Sequence, residues 1–238
     1  MSIPSFAFKQ FVVRQDKSAM KVGTDAVLLG SWTDTISSQR ILDIGTGTGV
    51  IALMLAQRSY AFIDAIDIDE NCCEEARLNV RESKWSDRIH IHHLSFQSFA
   101  DQVLEPYDLI VSNPPFFSDC SKASFIERTT ARHTDLLSFE ELAGGVSRLL
   151  SASGRFCLIL PQKESELFRD VAAAHKLHLA KITRVRTTPE KATEKRVLMQ
   201  FQRKPKCFQE DSITIEEGGR HSYTDDYKKL TKEFYLAF

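Results

Sequence analysis

A mostly parallel β-sheet with helices on both faces is the fold this sequence predicts. Three observations carry it. Apolar runs of strand length alternate with helical patterns through the first two thirds of the chain. Those runs are apolar almost throughout rather than at every second position, as burial on both faces requires. The first run ends in a glycine-rich turn that opens a helix, the corner where such sheets take ligands.

In chain order, "RILDIG" (40–45) is the first strand and "GVIALMLAQR" (49–58) a helix. "AFIDAIDID" (61–69) is a second buried strand. "ENCCEEARLNVRES" (70–83) is an amphipathic helix with Ala76 and Val80 on its apolar side, and Asp69 is placed to cap it. "RIHIHHL" (88–94) and "YDLIVSN" (107–113) are strands three and four. "SFEELAGGVSRLL" (138–150) is helical with Ser138 at its N-cap. "GRFCLILP" (154–161) is the fifth strand, and "KESELFRDVAAAH" (163–175) a further helix. "LHLAKITRVRTT" and "KRVLMQFQRK" read as an antiparallel hairpin, and "YTDDYKKLTKEFYLAF" as a helix or a helix-to-strand tail. No repeat, low-complexity tract or linker divides the chain. It reads as one domain, 1–238, with an N-terminal extension (1–38), a core (39–161) and a C-terminal part (162–238).

The bulk numbers agree with that size. The chain has 238 residues, of which 42% are apolar, enough for a substantial core. A net charge of −1 does not by itself point to nucleic acid, as a strongly basic chain would, though a local cluster can still hold phosphate. Five cysteines make no disulfide framework and no CxxC pair, which points to reduced thiols. The N-terminus lacks the apolar core of a signal peptide, and no window approaches a membrane span, so a cytoplasmic protein is expected.

"DIGTGTG" sets Asp43, Gly45, Gly47 and Gly49 at the first strand-to-helix turn. Glycine lets the chain turn tightly and lets a ligand reach the helix N-terminus. A dinucleotide fingerprint needs a glycine at position 50, which is valine here. An acid two residues before the first glycine suits a cation better than a pyrophosphate. S-adenosylmethionine carries both an ammonium and a sulfonium. Asp67 stands about twenty residues past the glycines, where a carboxylate takes the two hydroxyls of an adenosine ribose. Asp64 and Asp69 compete for that role, but Asp67 ends the strand.

The fourth strand stops at "SNPPFF" (112–117). The Asn113 side-chain oxygen and the Pro114 carbonyl are both acceptors, and the prolines fix the backbone so that they converge. A planar amine can donate one hydrogen to each while Phe116 offers its ring for stacking. The plain alternative is a Pro-Pro strand stop with core phenylalanines.

"DIGTGTG" followed by "SNPPF" resembles the S-adenosylmethionine-dependent N-methyltransferases that modify amino groups of adenine, guanine or glutamine. "FKQFVVRQDKSAMKVGTDAVLLGSW", "ERTTARHTDLLSFEEL" and "YTDDYKKLTKEFYLAF" narrow this. Together they resemble the bacterial tRNA1(Val) (adenine-37-N6) methyltransferase family, over nearly the whole chain. The resemblance implies a class I methyltransferase, a Rossmann-like seven-stranded sheet whose last hairpin is antiparallel. It implies methyl transfer to N6 of an adenine beside the anticodon of a valine tRNA. It places Gly23, Thr24 and Asp25 near the methionine end of the cofactor, and Asn113, Pro114, Pro115 and Phe116 around the target base. Many relatives carry an Asp after the third strand, against the cofactor's adenine. Ser95 stands there in this chain, and Phe rather than Tyr closes the Asn-Pro-Pro motif.

Rival readings are a protein glutamine N5-methyltransferase and an rRNA or DNA amino-methyltransferase. The first usually carries a helical N-terminal domain, for which residues 1–38 are too few. A non-catalytic nucleoside binder has no use for Asn113, and Val50 disfavours a nicotinamide oxidoreductase. "HIHH" (90–93) lacks partners at zinc spacing, so no metal is expected. Nine Lys or Arg residues fall within 181–206 against Glu190 and Glu194, either a solvated hairpin or a surface for RNA phosphates. Arg128, Arg132 and His133 follow the Asn-Pro-Pro loop and either clamp a phosphate or anchor that loop. The expected partner is tRNA, and the expected state a monomer.

Overall fold

The computed structural model describes residues 4–18, 20–114, 137–189 and 195–238. A short ribbon comes first, β1 (Ser5–Ala7) and β2 (Val12–Arg14), followed by helix α1 (Thr24–Trp32). The alternation begins with β3 (Arg40–Ile44), α2 (Val50–Arg58), β4 (Phe62–Asp67) and α3 (Glu70–Arg81). It continues with β5 (Ile89–His93), α4 (Phe96–Gln102) and β6 (Tyr107–Ser112). After the undescribed residues come α5 (Phe139–Leu149), β7 (Leu150–Leu160) and α6 (Gln162–Ala174). Strands β8 (His178–Arg186), β9 (Arg196–Gln202) and β10 (Gln209–Thr214) and helix α7 (Asp225–Thr231) close the chain.

The main sheet has the order β10-β8-β9-β7-β6-β3-β4-β5. Its neighbours are parallel except β9, which runs against both β7 and β8. The mostly parallel sheet and the antiparallel β8–β9 hairpin are as expected. The strand count is corrected from seven to eight, because β10 joins the β8 edge. "QEDSIT", which has no element assigned to it from the sequence, pairs with β8, and Arg184 bonds Glu210 at 2.5 Å while Lys181 lies 3.4 Å from Asp211. Cross-strand charge pairs hold this strand where apolar pattern does not, and its acids keep the new edge from templating aggregation.

The sheet separates two cores. Alternation along β3 sends Ile41 to one core and Leu42 and Ile44 to the other. On the first face lie the β1–β2 ribbon, α1, α2, α3 and α7; on the second lie α4, α5 and α6. Helix α2 is buried from Val50 through Ala56, so its apolar sequence needs no polar face. Gly30 of α1 crosses it closely, and a Cβ there would come within 2.7 Å of the Met54 sulfur. Phe8 and Phe11 of the N-terminal ribbon pack with Phe234 and Tyr235 near the C-terminus, so both chain ends build the first core. Asp69 and Ser138 cap α3 and α5 as expected, Ser138 within a full capping box with Glu141.

One polar network stitches four strands on the second face. Asp64 of β4 accepts from the Tyr107 hydroxyl at 2.7 Å, lies 2.7 Å from the His92 ring nitrogen and faces Arg40 at 3.6 Å. Burial opposes ionisation of Asp64, but the bonds from His92 and Tyr107 and the Arg40 charge outweigh it and hold the carboxyl below its usual range. His92 is thereby accounted for, and His93 meets the Ile68 carbonyl at 3.0 Å. Among the described residues no cluster of His, Cys, Asp and Glu fits a metal, and no helix is long and apolar enough to cross a membrane.

A depressed carboxylate pKa stabilises the fold above the unfolded-state value of about 4, and that contribution is lost as pH falls through the folded-state value. Asp64→Asn is therefore expected to cost about 2 kcal/mol at neutral pH, with a smaller loss in acid, because the partners lose a charged acceptor. Urea unfolding at neutral pH and in acid measures this. An equal loss at both would mean that the charge contributes nothing.

Candidate functional site

Strand order reverses between β3 and β6, since β4 and β5 follow β3 on one side and β6 lies on the other. Ligands of open α/β sheets bind at such a switch point, beyond the carboxyl ends of the strands. The register decides what meets there. Ile44 pairs with Ser112 on one side and with Ile66 on the other. Gly45, Asn113 and Asp67 are therefore the next residues on three adjacent strands, at one level. The Ser112 hydroxyl donates to the Ile44 carbonyl at 3.0 Å and locks the β3–β6 pair at its end.

The turn after β3 is held from below. Gly45 and Thr46 both donate to the Ile66 carbonyl at 2.9 Å, and Gly47 donates to the Asp67 carboxylate at 2.8 Å. Gly45 and Gly47 have φ of 72° and 55°, and a Cβ on either would meet nothing within 4 Å. The backbone conformation requires glycine at both, while the space above them is open. Gly49 differs, because a Cβ there would sit 3.3 Å from the Ala76 Cβ of α3.

Two buried oxygens at this site lack hydrogen-bond partners among the described residues. One is Asp43 Oδ1, on a side chain with 0% exposure. Its other oxygen accepts from the Thr46 hydroxyl at 2.6 Å. Burial pushes this carboxyl up to about 7, against the bonds from the Thr46 hydroxyl and the Ala52 backbone and with a further push from the Asp67 charge. The second is Asn113 Oδ1, at the end of β6. An unmet buried acceptor costs about 1–3 kcal/mol, so the Asn113 oxygen is an unfilled demand for a donor, while Asp43, which also draws on the Ala52 backbone amide, keeps lone pairs for a cation. A cation-bearing ligand in the turn and an amine beyond β6 are donors of the required kinds.

The other expected site residues divide. Asp67 uses one oxygen for Gly47 and the other for Asp69 at 3.0 Å, and each oxygen keeps a lone pair for a ribose hydroxyl. Ser95 caps α4, accepting from the Ser98 amide at 3.2 Å, so its hydroxyl already serves a helix that periodicity did not predict. Gly23 and Thr24 are exposed at the start of α1, and Asp25 pairs with Arg196 at 2.7 Å. Pro114 is buried beside Asn113. Pro115, Phe116, Phe117, Arg128, Arg132, His133 and Lys191 lie outside the described residues.

The basic stretch 181–206 does not form one surface. β9 runs antiparallel, so Arg196 lies at the carboxyl edge of the parallel strands while Arg203, Lys204 and Lys206 follow its other end. Seven strand residues separate the two by roughly 20 Å. Lys181, Arg184 and Arg196 already face acids, and Arg203 donates to the Leu150 carbonyl at 3.1 Å.

The sequence pattern of the methyltransferase small domain matches residues 17–138. A protein of Bacteroides fragilis named tRNA1(Val) (adenine(37)-N6)-methyltransferase is 48% identical over 99% of this chain and 99% of its own. Proteins with that name from Phocaeicola vulgatus and Flavobacterium psychrophilum are 48% and 47% identical, over 99% and 97% of this chain and 99% of theirs. Among solved structures, a predicted O-methyltransferase from Agrobacterium tumefaciens has a TM-score of 0.70 at 18% identity, over 88% of this chain and 96% of its own. A ribosomal protein L11 methylase from Lactobacillus delbrueckii has 0.57 at 14%, over 81% and 84%. These likenesses show the class I methyltransferase fold. The chain belongs to the tRNA1(Val) (adenine(37)-N6)-methyltransferase family and is a methyltransferase.

Asp43 yields a pH prediction. A carboxyl whose pKa is raised favours the ligand-free fold at low pH and disfavours it as pH rises to about 7. A cationic ligand favours the ionised form, so affinity for S-adenosylhomocysteine, which keeps the ammonium, is expected to rise with pH up to about 7 and then level. In Asp43→Asn the slope should vanish and binding weaken roughly tenfold. Calorimetric titrations across that range decide it, and a flat wild-type profile would remove the acid from ligand binding.

Proposed function

We propose that the chain transfers a methyl group from S-adenosylmethionine to N6 of an adenine in tRNA, the adenine at position 37 of tRNA1(Val). The observation that carries this reading is the buried Asn113 Oδ1, without a partner among the described residues, one residue past the locked Ile44–Ser112 pair and level with the glycine turn. The family supplies the substrate, since the relatives are named for that adenine.

The fit to the cofactor rests on the donor set. Open space over Gly45 and Gly47 admits a ligand against the backbone, Asp43 attracts its cationic end, and Asp67 takes its ribose hydroxyls. When bound there, S-adenosylmethionine supplies an electrophilic methyl on sulfonium, whose departure leaves a neutral thioether.

The chain's own part is positioning. Asn113 Oδ1 and the Pro114 carbonyl accept the two hydrogens of the exocyclic amine. The nitrogen lone pair is thereby drawn out of conjugation and aimed at the methyl carbon. One N–C bond forms as the S–C bond breaks, and the nitrogen then releases a proton to water. That proton is acidic once nitrogen is methylated, so no strong base is required. The electrophile carries its own charge, so no Lewis acid is required either. Holding two reactants in line is worth several kcal/mol of barrier. The adenine must leave its stack, at a few kcal/mol, least in a loop such as the anticodon loop. The enzyme is read as a cytoplasmic monomer.

The test is methyl transfer from labelled cofactor to total tRNA of a strain lacking the gene, followed by nucleoside analysis. N6-methyladenosine in tRNA1(Val) is expected. Label at protein glutamine, or in rRNA or DNA instead, would overturn the reading. Asn113→Ala is expected to lower kcat at least a hundredfold while S-adenosylhomocysteine affinity changes less than about threefold. Equal loss of both would make the Asn-Pro-Pro turn a structural element only.

A further inference from the structure

Helix α3 carries two buried polar side chains that the proposed reaction does not use, Glu75 at 2% exposure and Asn79 at 1%. Both face the segment between the N-terminal ribbon and α1. Glu75 Oε1 accepts from the amides of Asp16 and Lys17 at 2.6 and 2.9 Å, and Oε2 accepts from Ser18 at 2.9 Å. Burial opposes ionisation of Glu75, yet the bonds from residues 16–18 outweigh it and hold the carboxyl below its usual range. Asn79 Oδ1 accepts from the Arg14 amide at 2.8 Å, and its Nδ2 donates at 2.9 Å to two carbonyls, Arg14 and Thr48. Thr48 lies in the glycine turn. One amide thus ties the N-terminal segment and that turn to the same helix.

The far end of the segment is fastened too. Gln15 Oε1 accepts from the Val22 amide at 2.7 Å, and Asp25 pairs with Arg196, the first residue of β9. Val22, between Ser18 held by α3 and Asp25 of α1, packs on the core that α1, α2 and α3 share on one face of the sheet, and Gly49 of the glycine turn is the N-cap of α2. A carboxylate taken out of water to hold three main-chain amides is a costly way to fasten a surface segment unless its place matters.

We propose that Glu75 and Asn79 are positioning residues for the cofactor, setting the segment 14–18 and 20–25 against the glycine turn so that this wall of the pocket stands ready before binding. The inference rests on the cofactor site proposed above. A wall that is only fractionally in place lowers apparent affinity by that fraction and leaves the chemical step alone. The effect should therefore fall on KM and Kd for the cofactor and not on kcat.

The test compares wild type, Glu75→Ala, Glu75→Gln and Gln15→Ala as full-length proteins. Kd for S-adenosylhomocysteine is measured by calorimetry well below each Tm, with kcat and cofactor KM on tRNA and the rate of tryptic cleavage after Lys17 and Lys21. Glu75→Ala is expected to raise Kd and cofactor KM about tenfold with kcat within about threefold, and Glu75→Gln to give a smaller rise. Cleavage at Lys17 and Lys21 should quicken in the variants and be suppressed by saturating S-adenosylhomocysteine. A lowered Tm with unchanged Kd and no ligand protection would make Glu75 merely structural. Should Glu75→Ala not fold, unchanged Kd in both milder variants overturns the proposal equally. Wild type failing to bind S-adenosylhomocysteine would instead sink the cofactor site itself.

Discussion

The pairing of Ile44 with Ser112 is the constraint on which the site depends. A slip of one residue in that register would send every side chain of β6 to the opposite face. Asn113 would then no longer stand level with Gly45, and Asp67 would no longer share their edge. The register has two guards. Leu109 and Val111 belong to one core and Ile110 to the other, so any slip exchanges residues between two filled interiors. The Ser112 hydroxyl, bonded to the Ile44 carbonyl, fixes the last rung next to the site. The chemistry is thus set by main-chain pairing before any functional side chain is considered.

Against that frame stand two acceptors that the proposed function would use. Most buried polar groups here have partners, as Asp64, Glu75 and Asn79 illustrate with their several bonds. Asp43 Oδ1 and Asn113 Oδ1 lack a side-chain or main-chain partner within hydrogen-bond geometry among the described residues, and both residues sit at the switch point. Among the described residues the Ser18, Ser31 and Thr33 hydroxyls and the Gln57 and Gln162 amide oxygens are buried without partners too, so an unmet oxygen alone does not mark a site. The distinction lies in position: Asp43 is on β3 and Asn113 follows β6, the two strands between which the sheet order reverses.

How much of this was legible in the sequence follows from the type of signal. The strands of the parallel core stood out because two-sided burial leaves no polar interruptions, and Asp43, the glycines, Asp67 and Asn113 stood out because their spacing to strand ends is short-range. Helix α1 was hidden because Ala26 through Leu29 are all buried, which leaves no helical period, and Gly23 offers no capping side chain. Helix α4 was hidden because Ser95 is read only as a ligand residue, while its hydroxyl also caps the helix. β10 was hidden because charge pairing, not apolar pattern, holds it. Glu75 and Asn79 flank Ala76 on a helix read correctly as amphipathic, but their burial depends on a segment some sixty residues earlier. Thr46 was in plain view, three residues past Asp43, and a hydroxyl at that distance is the one signal that short-range reading passed over.

The N-terminal residues are where the long-range part matters most. Read as a bare extension, 1–38 has too little sequence to be a domain. In the fold it has no core of its own. Its ribbon packs against the C-terminal Phe234 and Tyr235, its helix α1 lies on α2, and its connecting segment is bonded to α3 and, through Asn79, tied to the glycine turn. Contacts so far apart in sequence carry a larger loop-closure cost than local ones. The segment proposed as the cofactor's wall is then held mainly by bonds from residues distant in sequence. A buried carboxylate and a bridging amide supply those bonds, at the point where the central glycine turn meets a segment drawn from the beginning of the chain.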